Sequence, residues 1–357
     1  MAPAPLSELT TLHLGGPAAS LVSIDSDEAL VEVVRAADAA GEPLLLLAGG
    51  SNVVVADAGF AGAVARVQTR GAEATRMADG RIRLDVAAGE SWDALVAGCV
   101  ADGLAGIEAL SGIPGSVGAT PIQNVGAYGQ EIADVLVAVR AFDRVSGEAH
   151  DLDTEECMFD YRTSVFKRDP GRWVVLGASI ALEPTGVSEP IRYAELAARL
   201  GVDIGARAPV QEVREAVLAL RRGKGMVLDP GDPDTVSAGS FFTNPILRAR
   251  DFDAFAQRVT ERLGGDERPP AWPAELRSVK TSAAWLIERA GFGRGYGNPT
   301  GIAISSKHTL ALTNRGKGTT SELVDLAREI ALGVHETFGV RLMPEPVFVG
   351  HAWDPPA

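Results

Sequence analysis

Residues 103–129 hold seven glycines and a single charged side chain, Glu108. Glycine loses more backbone freedom on folding than any other residue, so a run this dense needs a reason, such as close approach of bare backbone to a large ligand. Its N–H groups, with the hydroxyls of Ser111 and Ser116, can form a concave nest that receives a pyrophosphate. A turn-rich β region is the plainer reading of the same run. A shorter glycine turn, Ala48-Gly49-Gly50-Ser51-Asn52, lies between the apolar runs 44–47 and 53–55. A Rossmann glycine loop passes from strand into helix. This turn is expected to pass from strand to strand, which argues against a Rossmann site.

Around these turns the chain alternates between helical and strand-like patterns. Residues 25–41 read as a helix, with Asp25 as N-cap and Glu28 completing a capping box. Leu30, Val33, Val34 and Ala37 share one face, and Gly41 closes the helix. A short helix is expected over 91–100, a strand and turn over 81–89, strands over 135–142 and 173–182, and an amphipathic helix over 209–220. The stretch 223–240, rich in Gly, Pro and Asp, reads as a linker or an active-site loop. Helices are expected near 251–263, 282–290 and 322–338, the last opened by a Thr319/Glu322 capping box with Leu323, Ala327, Ile330, Val334 and Phe338 on one face. A final strand over 347–350 is expected to return to the N-terminal unit.

At 357 residues the chain is too long for one ordinary domain. Its 46% hydrophobic and 22% charged residues supply a globular core. The formal net charge of −14 and pI near 4.9 exclude the basic face that a nucleic-acid binder needs. An anionic ligand must therefore be held by local N–H groups and a few placed cations. Cys99 and Cys157 are far apart in sequence and read as reduced, buried thiols. The five histidines are scattered without ligand spacing, so no metal site is expected. No apolar run is long enough to span a membrane and the first seven residues carry no secretory pattern, so the cytoplasm is the expected location.

The segment 111–119, Ser-Gly-Ile-Pro-Gly-Ser-Val-Gly-Ala, followed by Pro-Ile-Gln-Asn-Val-Gly-Ala-Tyr-Gly at 121–129, resembles the flavin-binding core of the UDP-N-acetylenolpyruvoylglucosamine reductase family. The turn 47–52 is similar to that family's first phosphate-binding turn. Further matches are Tyr161-Arg162-Thr163-Ser164-Val165-Phe166-Lys167, Ser237-Ala238-Gly239-Ser240-Phe241-Phe242-Thr243-Asn244-Pro245, and residues 344–350. They run in order from about residue 10 to residue 350.

This resemblance implies an α+β fold: a two-subdomain FAD-binding module of the vanillyl-alcohol-oxidase-like type plus a C-terminal α/β substrate-binding domain. The implied bounds are 1–70 joined by 339–357, then 71–222, then 223–338. It implies reduction of UDP-N-acetylglucosamine enolpyruvate by NADPH through FAD, without nucleic-acid or membrane partners, and in a monomer. Neither glycine turn contains a histidine to tether the flavin, so non-covalent FAD is expected, with contacts from Gly49, Gly50, Ser51, Asn52, Ser111, Gly112, Gly115, Ser116, Gly118, Ala119, Gln123, Asn124 and Gly126. An oxidase of a small alcohol or hydroxy acid on the same scaffold stays open, as does a nucleotide-sugar binding protein without catalysis.

Three residues are candidates for the chemistry. Arg162 offers a planar fork that grips and polarises a carboxylate, though most arginines make only surface ion pairs. Ser240 lies between Gly239 and two phenylalanines. A serine is a poor acid, but an acceptor carbon with enolate character is basic enough to take its proton. Glu345 is bracketed by Pro344 and Pro346, which stiffen its backbone. The resemblance assigns these three to catalysis and Tyr193 to the substrate diphosphate. Lys224, within Arg221-Arg222-Gly223-Lys224-Gly225, reads as a phosphate ligand or equally as part of a solvated basic cluster, and residues 225–229 after it depart from the family's pattern. Asn244, in the Ser240 motif, is a candidate sugar or uridine contact. Trp285 and Phe292 read as core.

Overall fold

The computed structural model describes residues 5–265 and 267–353. Contacts divide the chain into two compact units, one made of Ala18–Gly50 and Ala61–Val227, the other of the described parts of Ala4–Pro17, Ser51–Phe60 and Leu228–Ala357.

In the first unit, strand Leu44–Leu47 pairs in parallel with Phe60–Val67, which also lies beside Ala18–Ile24. Helix Asp27–Ala40 buries Leu30 and Val34 against Ile24, Ala65 and Val67. Its N-cap is Ser26, not the expected Asp25: the Ser26 hydroxyl accepts the Ala29 N–H at 3.2 Å. With the cap moved by one residue, Glu28 stands two positions after it and forms no capping box. Gly41 ends the helix in the left-handed conformation, φ 65°. The turn 48–52 leads from Leu44–Leu47 to the strand Val53–Val55, the strand-to-strand passage expected of it.

The rest of this unit is built on a five-stranded antiparallel sheet. Its order is Glu148–Leu152, Leu136–Asp143, Trp173–Leu182, Ile82–Ala87, Ala72–Arg76. One face carries Leu84, Val86, Val139, Ala141, Ala178 and Ile180 into a core shared with Trp92 and Val96 of helix Trp92–Ala101. Burial of each large side chain there contributes about 1.5–3 kcal/mol. The glycine-rich segment packs into the same core through Ile107, Leu110 and Val117. It contains no long element, only 3₁₀ turns at Glu108–Leu110 and Val117–Ala119 and the start of a two-stranded ribbon at Gly126–Ala127. Helix Val210–Gly223 buries Val210, Val213 and Val217, and also Arg221.

In the second unit, Ser237–Ser240, Ala311–Asn314 and Ile302–Ile304 form an antiparallel sheet, and a second small sheet joins Ile246–Arg248, Ser278–Lys280 and Trp272–Ala274. Helices Ala249–Leu263, Ala283–Arg289 and Thr320–Phe338 pack on them. The Thr319/Glu322 capping box is present, and Leu323, Ala327, Ile330, Val334 and Phe338 are buried. Phe292 belongs to this core, and Trp285 packs against it. Strand Val347–Val349 returns to pair in parallel with Val53–Val55.

The stretch 223–240 is more structured than a linker. The division between units falls after Val227, but Asp234 is 3% exposed and accepts the Ser306 N–H at 2.8 Å, the Ser306 hydroxyl at 2.6 Å and Arg315 Nη2 at 2.7 Å. Burial acts to raise the Asp234 pKa, and the hydrogen bonds from Ser306 and Ser305, with the Arg315 charge, outweigh it and hold the carboxyl below its ordinary value. Residues 232–240 are thus anchored before the chain reaches Ser240.

Candidate active site

The two glycine turns meet. A Cβ at Gly49 would stand 2.7 Å from the Gly115 Cα and 3.0 Å from its carbonyl carbon, closer than atoms of two side-chain-bearing residues can approach. Beside this contact, Ser116 is 4% exposed and its hydroxyl has no hydrogen-bond partner among the described residues. A buried hydroxyl without a partner costs about 1–3 kcal/mol, so such a group points to a ligand oxygen. A bare-backbone cradle with an orphaned hydroxyl fits the pyrophosphate of a dinucleotide cofactor.

Other members of the predicted flavin set are already engaged. The Ser111 hydroxyl donates to the Glu108 carbonyl at 2.7 Å. The Gly112 N–H donates to Asp93 Oδ1 at 2.6 Å, and the Gly118 N–H to the Ala88 carbonyl at 2.9 Å. The Ala119 N–H donates to the Ser116 carbonyl at 3.1 Å. These residues shape the turn through their own hydrogen bonds. Gly50 has φ 60°, a conformation that glycine adopts without strain. In the second unit, Asn52 lies against the catalytic candidate Glu345: its Nδ2 donates to the Glu345 carbonyl at 3.5 Å, and the Val347 N–H donates to the Asn52 carbonyl at 2.9 Å. Ser51 precedes it in the same turn and Gln123 is half-buried.

Asn124 is the pivot of the 121–129 segment. It has φ 47° and is 2% exposed. Its Nδ2 donates to Glu131 Oε2 at 2.7 Å, its Oδ1 accepts the Ala133 N–H at 3.2 Å, and its carbonyl accepts Arg162 Nη1 at 3.2 Å. The Gly126 carbonyl accepts Arg162 Nη2 at 2.7 Å. A Cβ at Gly126 would lie 2.7 Å from Glu131 Cγ and 2.9 Å from the Gln130 carbonyl oxygen, with Arg162 Nη1 at 3.3 Å, so the facing strand of the ribbon, more than the arginine, calls for glycine. Arg162 itself holds φ 54° in a tight turn bridged between Asp160 and Thr163. A non-glycine residue in that region costs on the order of 1 kcal/mol, and such strain concentrates at functional positions. The Arg162 carbonyl accepts Lys167 Nζ at 3.0 Å, and its guanidinium lies 5.4 Å from the Tyr161 ring centre. The side chain is therefore oriented by three surrounding groups.

In the second unit, Ser240 ends strand Ser237–Ser240 opposite Ala311. Phe241 and Phe242 follow it, each 1% exposed, and fix the chain at this point. The Glu345 N–H donates to the Phe241 carbonyl at 2.8 Å, and the Thr243 N–H donates to the Met343 carbonyl at 3.0 Å. Residues far apart in sequence, Ser240 and Glu345, are thereby placed on adjoining backbones. Asn244 Oδ1 accepts the Ala283 N–H at 3.0 Å, which caps the first turn of helix Ala283–Arg289.

Tyr193 and Lys224 belong to one cluster in the first unit. Lys224 Nζ donates to Glu195 Oε2 at 2.6 Å and stands 5.6 Å from the Tyr128 ring centre. Tyr128 meets Tyr193 edge-on at 5.4 Å. Burial pushes the Tyr128 hydroxyl up to about 12, against the opposing charge of Arg221, and burial with the Glu195 charge raises Tyr193.

Several supporting residues escaped the sequence reading. Glu108, fully buried, accepts the Gly106 N–H at 2.6 Å and the Glu189 N–H at 3.2 Å, and Gln130 Nε2 donates to it at 2.9 Å. Asp93 takes the Gly112 N–H while Arg214 grips it through two nitrogens at 2.7 and 3.2 Å. The only sequence signal for Glu108 was a lone charge inside an otherwise uncharged segment. Among the described residues, no group of three or more His, Cys, Asp or Glu could hold a metal, and no helix is long and apolar enough to cross a membrane.

Residues 18–153, which include both glycine turns, match the family described as FAD binding domain. By class the chain is an FAD-binding flavoprotein oxidoreductase. Residues 232–349, which carry Ser240 and Glu345, match the family described as the C-terminal domain of UDP-N-acetylenolpyruvoylglucosamine reductase. Proteins of that name from Thermobifida fusca and Streptomyces coelicolor are 57% and 56% identical to it, over 97% and 98% of this chain and 97% and 90% of theirs. The chain belongs to the UDP-N-acetylenolpyruvoylglucosamine reductase family. The fold is also that of the crystal structure of such a reductase from Thermus caldophilus, with a TM-score of 0.61 at 24% identity over 97% of each chain.

Proposed function

We propose that this protein reduces UDP-N-acetylglucosamine enolpyruvate to UDP-N-acetylmuramate, with NADPH as the electron source and FAD held without a covalent bond. The observation that carries the reading is near-full-length identity of 57% to a reductase of that name. The product serves peptidoglycan precursor synthesis, and the protein acts in the cytoplasm as a monomer. Residues 1–70 with 339–357, and residues 71–222, are the proposed flavin subdomains; 223–338 is the proposed substrate domain.

Ser116, Gly49 and Gly115 would hold the FAD pyrophosphate, and Gly50, Ser51, Asn52, Ser111, Gly112, Gly118, Ala119, Gln123, Asn124 and Gly126 are the further flavin contacts in this reading. Bound FAD supplies hydride transfer to and from carbon. Arg162 takes the enolpyruvyl carboxylate in its fork, and the Asn124 and Gly126 carbonyls hold the guanidinium in place for it. When C3 of the enolpyruvyl group receives a hydride, the electron pair of the double bond moves to C2 and toward the carboxylate. Arg162 stabilises that charge. The Ser240 hydroxyl gives its proton to C2, so one hydride and one proton saturate the double bond. The Glu345 carboxyl, on a backbone tied to Phe241, assists proton delivery to C2. Tyr193 and Lys224 contact the diphosphate, and Asn244 the nucleotide-sugar.

The test is to purify the protein, record its visible spectrum and follow NADPH consumption with and without the enolpyruvyl substrate. A bound-flavin spectrum and substrate-dependent consumption are expected. A colourless protein, or consumption indifferent to the substrate, would refute the proposal.

A further inference from the structure

We infer that Glu195 is a built-in competitor for the substrate diphosphate: it occupies Lys224 until the nucleotide-sugar displaces it. The inference rests on the proposed role of Tyr193 and Lys224 at the diphosphate. Glu195 lies in the first turn of helix Ala194–Leu200, two residues after Tyr193, and Lys224 lies at the end of helix Val210–Gly223. Their ion pair, at 2.6 Å, joins the two helix ends.

The pair is not what holds those helices together. Leu196 and Ala197 pack on Val213, Ala216 and Val217 in a shared apolar cluster, all of them buried. Both charged side chains remain partly exposed, Lys224 at 29% and Glu195 at 41%. A solvent-screened pair of this kind adds little to stability. What it does is set the local charge. Arg221, 6% exposed, lies in the same region and places a second positive charge near Tyr128. Arg221 has the Asp93 charge nearby, so Glu195 is the carboxylate that balances Lys224. Without Glu195 the partly exposed ammonium would attract any small anion. With it, only a ligand that brings a diphosphate plus further contacts wins Lys224. A diphosphate oxygen accepts a charge-assisted hydrogen bond from lysine and carries more charge than one carboxylate, so the exchange favours the ligand.

The test uses the FAD-loaded protein and UDP as the probe, with binding followed by calorimetry at low and high salt. Glu195→Gln is expected to tighten UDP binding by about two- to five-fold at low salt, the worth of an exposed ion pair. The gain should shrink as salt screens the charges, and it should vanish in the Glu195→Gln/Lys224→Met double variant. Weaker or unchanged UDP binding in Glu195→Gln would overturn the inference, because Glu195 would then be positioning Lys224 or be irrelevant to it. A gain that survives in the double variant would overturn it as well. Lys224→Met alone separates the two levels: weakened UDP binding supports the diphosphate role of Lys224 whatever Glu195 does. Unaltered binding removes that role, and the inference with it.

Discussion

Gly49→Ala adds a single methyl group where the two glycine turns touch. The new carbon would lie 2.7 Å from Gly115 Cα, 3.0 Å from its carbonyl carbon and 3.4 Å from the Ser116 nitrogen. Carbon atoms pack best at about 3.5–4.0 Å, so the turns must part by roughly 1 Å. The obstacle is backbone and cannot swing aside. The backbone of Gly49 is not in the left-handed region, so the effect is steric and not conformational. Overpacking of this kind costs about 1–3 kcal/mol. The flavin-free protein relieves it by letting the turns separate, whereas a pyrophosphate seated against Ser116 requires them together. If the whole cost falls on the bound state, the FAD dissociation constant rises by about 5- to 150-fold. The assay is titration of flavin-free protein with FAD, followed by quenching of flavin fluorescence. Gly98→Ala is the control: it lies in helix Trp92–Ala101, its Cβ would meet nothing within 4 Å, and FAD affinity should not change. Wild-type affinity in Gly49→Ala, or an equal loss in Gly98→Ala, would refute the reasoning.

Asn124→Ala should destabilise the fold by about 2–4 kcal/mol in urea unfolding, because it strips hydrogen bonds from buried groups and leaves alanine at φ 47°; stability within 0.5 kcal/mol of wild type would contradict the pivot role (a threshold set at roughly the noise of a surface substitution). Two hydrogen bonds from Arg172 hold the Asp143 carboxyl down at about 2, from an ordinary 3.8. A depressed carboxylate contributes stability above its unfolded pKa and loses it as pH falls toward its folded pKa, so this contribution should fade between about pH 4 and 2. It should be missing in Arg172→Met, as read from melting temperature against pH, and its size is limited by solvent screening of Arg172, which is 41% exposed. Burial pushes both Cys99 and Cys157 thiols up to about 12, so neither should react with a thiol reagent at pH 8 until the protein is unfolded; rapid labelling of the native protein would contradict their burial.

What could be read from the sequence depended on the range over which each interaction acts. The Thr319/Glu322 box was legible because both partners lie within one turn of helix. Ser26 was missed in favour of Asp25 because both are good caps and only the backbone path chooses between them. The glycine turns announced themselves, since a close approach such as Gly49 to Gly115 penalises any residue with a Cβ. Their supports did not. Asp234 finds Ser306 and Arg315 from 72 and 81 residues away, and Glu108 finds Glu189 from 81. No local pattern encodes such partners. Arg162 was singled out by its motif, but its seat on the Asn124 and Gly126 carbonyls, 38 and 36 residues back, emerged only in three dimensions. Asn124, expected among the flavin contacts, turned out to have its side chain and carbonyl committed to Glu131, Ala133 and Arg162.

The most direct measurement is a rapid-mixing comparison of Ser240→Ala with the parent protein, following flavin absorbance through each half of the reaction. Bleaching by NADPH should proceed at the parent rate, because Ser240 gives its proton only to the enolpyruvyl carbon. Recovery of colour on adding the enolpyruvyl substrate should slow by several orders of magnitude. Recovery at the parent rate would contradict the account, and equal slowing of both halves would reduce Ser240 to a structural residue.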